Sequence, residues 1–165
     1  MTDFTTVEGY RPGAIGRVAE LHGDYYHRNW GFGLFFEAKV ATELAAFFSG
    51  YDDGRDGFWA VVDKRRVEGA IVIDGREAFT AGAHLRWFIV ADKLRGQGAG
   101  NLLMHAAMDF CRWKRYPEVY LWTFEGLAAA HHLYEQHGFS LVEQHRGDQW
   151  GTTVTEQRFV CRLDR

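Results

Sequence analysis

Three glycines within five residues stand in the segment LRGQGAG, between a mostly apolar run and a stretch with helical spacing of apolar residues. They are Gly96, Gly98 and Gly100. Glycine loses more conformational freedom on folding than any other residue, so such a concentration indicates a local requirement. Unpaired N–H groups at a helix start lie at the positive end of the helix dipole, where they bind anions. The segment therefore predicts an anion site, in which small residues let a pyrophosphate approach the backbone and Arg95 adds charge.

Two other glycine motifs do not fit this segment. The dinucleotide fingerprint G-x-G-x-x-G would place its last glycine at Asn101 or Leu103, and no Gly-Lys-Ser/Thr follows as in a P-loop. A flexible strand-to-helix turn without a ligand is the alternative interpretation. The conformational cost of three glycines favours the anion site over that turn.

Composition and charge restrict the class of protein. The 165 residues, 47% hydrophobic and 25% charged, predict one globular domain over residues 1–165. A net charge of −3 argues against a general nucleic-acid or membrane-surface binder. Two distant cysteines, an N-terminus unlike a signal peptide and the lack of a long apolar run predict a reduced, cytoplasmic protein. We therefore expect neither a nucleic-acid nor a membrane partner.

The eight histidines raise the question of a metal site. Neither HExxH nor the spacing of a Cys/His finger occurs in the sequence. His131 and His132 are adjacent on a predicted helix and so lie on different faces of it. No metal site is expected.

Apolar periodicity predicts a mixed α/β fold with the order β-α-α-β-β-β-α-β-α-β-β. One long strand is predicted over Thr80–Val90, before the glycine loop. The segment EVYLWTF is apolar enough for a strand buried on both faces. The remaining strands are predicted near 4–7, 58–63, 67–74, 139–145 and 154–163, and the helices near 12–29, 34–49, 101–116 and 126–137.

Two spaced motifs resemble signatures of the GCN5-related N-acetyltransferase (GNAT) superfamily. Residues 95–100 match its pyrophosphate loop Q/R-x-x-G-x-G/A, and AAAHHLYEQHGF matches its second signature, a small residue followed by Leu-Tyr and Gly-Phe. The predicted element order also matches, so the resemblance covers essentially the whole chain. It implies a mixed, mostly antiparallel central sheet with helices on both faces.

A narrower resemblance involves four further segments. They are similar to the acetyltransferase half of bacterial MarR-type regulators fused to such a domain. The segments are WGFG with FEAKVATELAAFF, GAHLRWFIV, YLWTFEGL and GDQWGTTVTEQRF. The DNA-binding half of those regulators has no counterpart in the sequence. The superfamily varies its substrates freely, so neither resemblance specifies the acceptor.

The superfamily resemblance implies an acetyl-CoA site. In these proteins the strand before the loop and the strand after the next helix splay apart around the pantetheine arm, and here those strands end at Val90 and Glu125. The backbone N–H of Ile89 or Val90 would polarise the acetyl carbonyl, and Tyr134 would protonate the departing thiolate. Leu127 stands where many members have asparagine. The residues that would cradle the pyrophosphate are Arg95, Gly96, Gln97, Gly98, Ala99, Gly100 and Asn101.

The general base is left open. Alignment on the loop places His84 where many members have a strand glutamate that faces the acceptor, and an ordinary imidazole pKa of about 6.5 suits proton removal near neutrality. Packing between strands is the alternative role for His84. Glu125 is the rival, either as a base or as an anchor for a cationic amine. Deprotonation through water without a single base is a third route.

The resemblance implies an N-acetyltransferase that uses acetyl-CoA as co-substrate and no metal. The acceptor would be a primary amine of a small molecule, an amino-acid-like compound or a protein, and it would attack the thioester directly. The alternative is a non-catalytic acyl-CoA-sensing module acting with a transcriptional regulator. A homodimer is the expected assembly, if the chain assembles at all. The acceptor pocket would be walled by aromatic residues of the early helices, which could equally be core: Tyr25, Tyr26, Trp30, Phe32, Phe35 and Phe36.

Overall fold

A computed structural model describes residues 3–163 of the chain. The strands are β1 (Thr5–Glu8), β2 (Gly57–Asp63), β3 (Arg66–Asp74), β4 (Ala83–Val90), β5 (Glu118–Phe124), β6 (Ser140–Gly147) and β7 (Val154–Arg162). The helices are α1 (Ala14–Trp30), α2 (Leu34–Ser49), α3 (Ala99–Trp113) and α4 (Ala128–Gln136), with a short 3-10 turn at Asp92–Leu94. The predicted order of strands and helices is confirmed.

The strands form one sheet in the order β1-β2-β3-β4-β5-β7-β6. All neighbours are antiparallel except β4 and β5, whose parallel pairing is confined to Ala83 with Val119 and His84 with Tyr120. Beyond these pairs, β4 continues against β3 as far as Val90, and β5 continues against β7 as far as Phe124. The two central strands therefore diverge, and the gap between them opens toward the glycine loop.

Helices cover both faces of the sheet. The face toward α3 and α4 holds the larger buried cluster, to which α3 contributes Leu103, Met104, Ala107 and Met108 at helical spacing. The face toward α1 and α2 holds two further buried clusters, one around Val18, Leu44 and Phe47 and the other around Phe32 and Phe124. The mixed, mostly antiparallel sheet with helices on both faces is confirmed.

Two sequence predictions about these strands are wrong in detail. The strand before the loop begins at Ala83 rather than at Thr80, because the carbonyl of Glu77 accepts hydrogen bonds from the N–H groups of Thr80, Ala81 and Gly82 and closes a turn. Strand β5 is not buried on both faces. Its side chains at Tyr120 and Trp122 are only half-buried, whereas Val119 and Leu121 on the opposite face are buried in the cluster toward α3.

No helix within residues 3–163 is long and apolar enough to cross a membrane.

Candidate active site

A β-bulge interrupts β4 where it diverges from β5. Ala70 of β3 pairs with Ile89 and Val72 pairs with Arg86, so two residues of β4 lie opposite a single residue of β3. One of the two, Trp87, has a positive φ of 48°, which is rare for a large side chain. Its indole packs into the core on the α1 and α2 side, whereas Phe88 packs toward α3. The bulge therefore redirects the strand at the edge of the gap.

A cleft of about 500 Å³ lies between the diverging strands, the glycine loop, the end of α1 and the start of α4. We call it the glycine-loop cleft. Most of the residues predicted to bind a cofactor line it, and they are Ile89, Val90, Arg95, Gly96, Gly98, Ala99, Gly100 and Tyr134. Gln97 and Asn101 do not line it, because the Gln97 amide donates to the Lys93 carbonyl at 2.8 Å and Asn101 Oδ1 lies 2.8 Å from Nε2 of His137.

The glycines of the loop have different structural roles. Gly96 and Gly98 have φ values of 77° and 84°, and no protein atom lies within 4 Å of the position that a Cβ would take. They are required by backbone conformation, and the space beside them is open to a ligand. Gly100, by contrast, is closely approached by the side chains of Leu133 and Phe88, each 3.4 Å from the position of a Cβ. Gly98 is also the N-cap of α3, so the N-terminal N–H groups of that helix begin at the loop.

Arg95 and Leu127 both line the glycine-loop cleft. The Arg95 guanidinium lies 4.4 Å from the ring centroid of Tyr25 and pairs with Asp92 at 3.0 Å, so its half-exposed charge is held at the rim. Leu127 is the N-cap of α4 and supplies no side-chain hydrogen bond to the helix start.

A second cavity, of about 300 Å³, lies on the other side of the gap and is called the polar cavity. Its floor is β4 and β5, and its walls come from α1, α2 and the loop between β6 and β7. The polar side chains that line it are His22, Lys39, Glu43, His84, Arg86, Thr123 and Gln149. Aromatic rings line it as well, and they are Tyr26, Phe36, Trp87, Phe88, Trp122, Phe124, Tyr134 and Trp150.

Tyr134 lines both the glycine-loop cleft and the polar cavity. Its side chain is 7% exposed, and burial together with the neighbouring Tyr26 raises the pKa of its phenol far above the usual value. Among the residues that the structure describes, its hydroxyl has no hydrogen-bond partner. The Tyr134 hydroxyl is therefore protonated and free to donate a hydrogen bond where the glycine-loop cleft and the polar cavity meet.

The two candidate bases lie in different surroundings. His84 lines the polar cavity and stacks on Tyr120 with ring centroids 4.4 Å apart. Burial, helped by the positive charge of Arg86, lowers the pKa of His84 to about 3, so its imidazole is neutral at physiological pH. Glu125 is exposed and lines neither the polar cavity nor the glycine-loop cleft.

The loop between β6 and β7 is held against the polar cavity by a buried carboxylate. Glu156, 3% exposed, accepts hydrogen bonds from the backbone N–H of Gln149 at 3.0 Å and from its side-chain amide at 2.7 Å. This anchorage places Gln149 and Trp150 in the wall. Of the aromatic residues considered for an acceptor pocket, Tyr26 and Phe36 line the polar cavity and Phe32 is core.

Sequence reasoning missed the charged residues of the polar cavity. Arg86 is a charged residue within an otherwise apolar strand, and that contrast was the available signal. Lys39 and Glu43 are four residues apart on α2 and form an ordinary helix-surface pair in sequence. Within residues 3–163, no cluster of three or more His, Cys, Asp or Glu side chains is placed to hold a metal ion.

Comparison with known proteins gives one matching family and many similar structures. Residues 15–139 match the sequence model of the Acetyltransferase (GNAT) family. A curated relative, an N-acetylaspartate synthetase from Xenopus tropicalis, is 32% identical over 91 residues. That match covers 53% of this chain but only 33% of the relative, so the chain corresponds to about a third of that protein.

Solved structures with the same fold cover almost the whole chain. An acetyltransferase of the GNAT family from Staphylococcus aureus has a TM-score of 0.78 at 14% identity, over 98% of this chain and 100% of that one. The ribosomal-protein-S18-alanine N-acetyltransferase of Escherichia coli has a TM-score of 0.70 at 16% identity, over 99% and 96%. Identities this low establish a shared fold and leave the acceptor open.

Proposed function

The chain belongs to the GNAT family of acetyltransferases, and on that premise we propose that it is an acetyl-CoA-dependent N-acetyltransferase that acts on a primary amine. The observation that carries the proposal is the position of Tyr134 between the glycine-loop cleft and the polar cavity. Direct transfer needs two substrate spaces that meet at the reacting atoms, and a proton donor at the meeting point assists the departure of the thiolate.

Acetyl-CoA is the proposed occupant of the glycine-loop cleft. The N–H groups at the start of α3 and the charge of Arg95 suit a pyrophosphate, and the open space beside Gly96 and Gly98 leaves room for it. The pantetheine arm would run along β4, whose edge toward β5 has no strand partner beyond His84 in residues 3–163. The unpaired backbone of that edge supports the proposal that Ile89 or Val90 donates a hydrogen bond to the acetyl oxygen.

The reaction proposed is direct attack by the amine. The neutral amine nitrogen forms a bond to the thioester carbon, negative charge develops on the carbonyl oxygen, and the carbon–sulfur bond then breaks. The nitrogen loses one proton to water, the leaving thiolate takes one proton from a donor, and the donor regains a proton from water, so no proton is gained or lost overall. Tyr134 is the proposed donor to sulfur, since the raised pKa of its phenol keeps it protonated at neutral pH and its hydroxyl has no other partner among the described residues.

For the amine proton, His84 is the better placed of the two candidate residues because it lines the polar cavity and Glu125 does not. An imidazole with a pKa of about 3 is a weak base near pH 7. We therefore propose that His84 accepts a hydrogen bond from the neutral amine and that water carries the proton away. Glu125 would have to act from outside the cavity.

The test combines binding and turnover. Acetyl-CoA is added to the protein with a panel of primary amines, thiol release is followed, and the acetylated product is identified by mass spectrometry. Amine-dependent thiol release with one product supports the proposal. A protein that binds acetyl-CoA and acetylates no amine would instead be an acyl-CoA-sensing module. Cytoplasmic location, dimerisation and the link to MarR-type regulators remain predictions.

A further inference from the structure

Arg86 places a mostly buried cation in the wall of the polar cavity. Its side chain is 19% exposed, and its guanidinium stacks over the Trp87 ring at 4.0 Å. Its ion pairs are long, at 3.4 Å to Glu43 and 3.7 Å to Asp74. A charge-assisted hydrogen bond is usually about 2.7–2.9 Å, so both ion pairs are weak, and within residues 3–163 no hydrogen bond occupies the N–H donors of this arginine.

The carboxylates beside Arg86 are committed to other cations. Asp74 is held by Arg76, whose two guanidinium nitrogens lie 3.0 and 2.6 Å from its oxygens. One oxygen of Glu43 accepts a hydrogen bond from Lys39 at 3.0 Å, and its other oxygen faces Arg86. Glu43 is therefore a poor anchor for a cationic amine, because both of its oxygens already face a positive charge.

The charges that line the polar cavity do not cancel. Lys39 and Arg86 are positive, Glu43 is negative, and both histidines of the lining are neutral because burial lowers their pKa, so the lining carries a net charge of about +1. A neutral acceptor would leave this charge uncompensated beside the mostly buried guanidinium of Arg86. An acceptor with one negative charge would compensate it.

We propose that Arg86 binds a carboxylate of the acceptor, so that the substrate class is a primary amine that also carries a carboxylate, such as an amino acid. The inference rests on the proposed function and narrows its acceptor. The planar guanidinium matches the two oxygens of a carboxylate, and Lys39 adds a second positive charge to the same wall. The aromatic rings of the cavity suit the apolar part of such a molecule.

The test compares matched acceptors in the complete protein. Each amino acid in a panel is paired with its amide and with the amine that lacks the carboxyl group, for example phenylalanine with phenylalaninamide and phenethylamine. The wild-type protein is expected to prefer the carboxylate member of its best pair by about 10- to 100-fold in kcat/KM. Arg86→Met should abolish that preference, and Arg86→Lys should keep part of it.

Arg158→Met is the matched control. Arg158 is a half-buried arginine that stacks over Tyr120 at 4.8 Å but does not line the polar cavity, and its loss should leave the preference unchanged. Thermal unfolding and CoA binding report whether each variant is folded. Binding of the same pairs to the protein–CoA complex, measured by calorimetry, gives a readout that does not need turnover.

The outcomes separate the two proposals. Equal use of carboxylate and neutral acceptors, or a preference that survives Arg86→Met, would overturn the carboxylate site while the acetyltransferase stands. Carboxylate-selective binding without transfer would support the site and overturn the enzyme. Neither binding nor transfer of any pair, with CoA bound, would overturn both.

Discussion

The glycine-loop cleft presents small residues and backbone at its loop and helix starts, whereas the polar cavity on the other side of Tyr134 is lined by long polar and aromatic side chains. The cleft is formed by glycines, alanines, an unpaired strand edge and two helix starts, and aromatic rings of α1 close its other side. The cavity combines residues from α1, α2, β4, β5 and the β6–β7 loop. A backbone site can serve one ligand in many family members, while a side-chain site can change its ligand by substitution. The first should therefore be common to the family and the second particular to this chain.

The largest expected effect is on the backbone site. Gly98→Val should weaken acetyl-CoA binding by about 100-fold or more, because its side chain occupies the open space beside the loop and its positive φ is unfavourable for valine. In the wild-type protein, acetyl-CoA at about 100 times its Kd should stabilise the fold by about 2.7 kcal/mol. A thermal-shift titration with acetyl-CoA measures the affinity of the variant and the stabilisation of the wild-type protein.

Gly9→Val is the control for that substitution. Gly9 also has a positive φ, 89°, with open space around it, but it lies outside the glycine-loop cleft. It should lose stability and keep acetyl-CoA binding. Equal loss of binding in the two variants would mean that backbone strain, and not the loop, accounts for the effect.

At the junction of the two spaces, Tyr134→Phe should lower kcat by about 10- to 10³-fold with little change in acetyl-CoA affinity. A thiolate is a fair leaving group, which is why the loss should be partial. Tyr26→Phe removes a hydroxyl from a ring that lines the same two spaces and should change kcat by less than about threefold. Single-turnover kinetics under saturating acetyl-CoA would distinguish the two variants. Equal rates in both would contradict the role of Tyr134 as a general acid.

In the polar cavity, His84→Ala should lower kcat/KM by about 10- to 100-fold, and Glu125→Ala should change it by less than about threefold. The difference follows from position, since His84 lines the cavity and Glu125 is exposed outside it. Because burial holds the pKa of His84 near 3, the wild-type rate should show no acidic limb from this residue between pH 5 and 7. A larger loss in Glu125→Ala would reverse the assignment.

The smallest effect concerns acid stability, to which a buried histidine of the polar cavity should contribute. His22 is 5% exposed, its Nδ1 lies 2.8 Å from the Val18 carbonyl, and burial lowers its pKa to about 4. In the unfolded chain the imidazole has an ordinary pKa of about 6.5, so between pH 6.5 and 4 it binds a proton that it does not bind in the folded chain. The free energy of unfolding therefore falls as the pH drops from 6.5 toward 4. His22 should contribute about 2 kcal/mol of this loss at pH 5.

Chemical denaturation of the wild-type protein and His22→Gln at pH 7 and pH 5 measures that contribution. The glutamine variant should lose less stability on acidification than the wild type. No histidine lines the described part of the glycine-loop cleft, so variants there should keep the wild-type pH dependence. An unchanged pH dependence in His22→Gln would show that burial does not lower the pKa of His22.

The same contrast explains what the sequence could predict. The loop around Arg95 and Gly98 and the signature around Tyr134 are local patterns, so the family and the cleft are predictable, and the family is confirmed. The order of strands and helices is predictable for the same reason, because periodicity within one segment determines it. The boundary at Ala83 was missed because the Glu77 turn depends on hydrogen bonds that residue type does not reveal.

The polar cavity could not be predicted because its residues are distant in sequence. Arg86 meets Glu43 across 43 positions, and Glu156 fixes the loop that carries Gln149 through a buried carboxylate. The bulge at Trp87 needs a positive φ in a residue type that rarely adopts one. Such features follow from tertiary packing, which overrides local preference.

The most direct test is a crystal structure of the protein with CoA and an amino-acid acceptor. We expect the pyrophosphate to lie on the N–H groups of the loop at Gly98, the sulfur to lie within about 3–4 Å of the Tyr134 hydroxyl, and the acceptor to occupy the polar cavity. CoA bound elsewhere, or a sulfur atom far from Tyr134 with the acceptor outside the cavity, would contradict it.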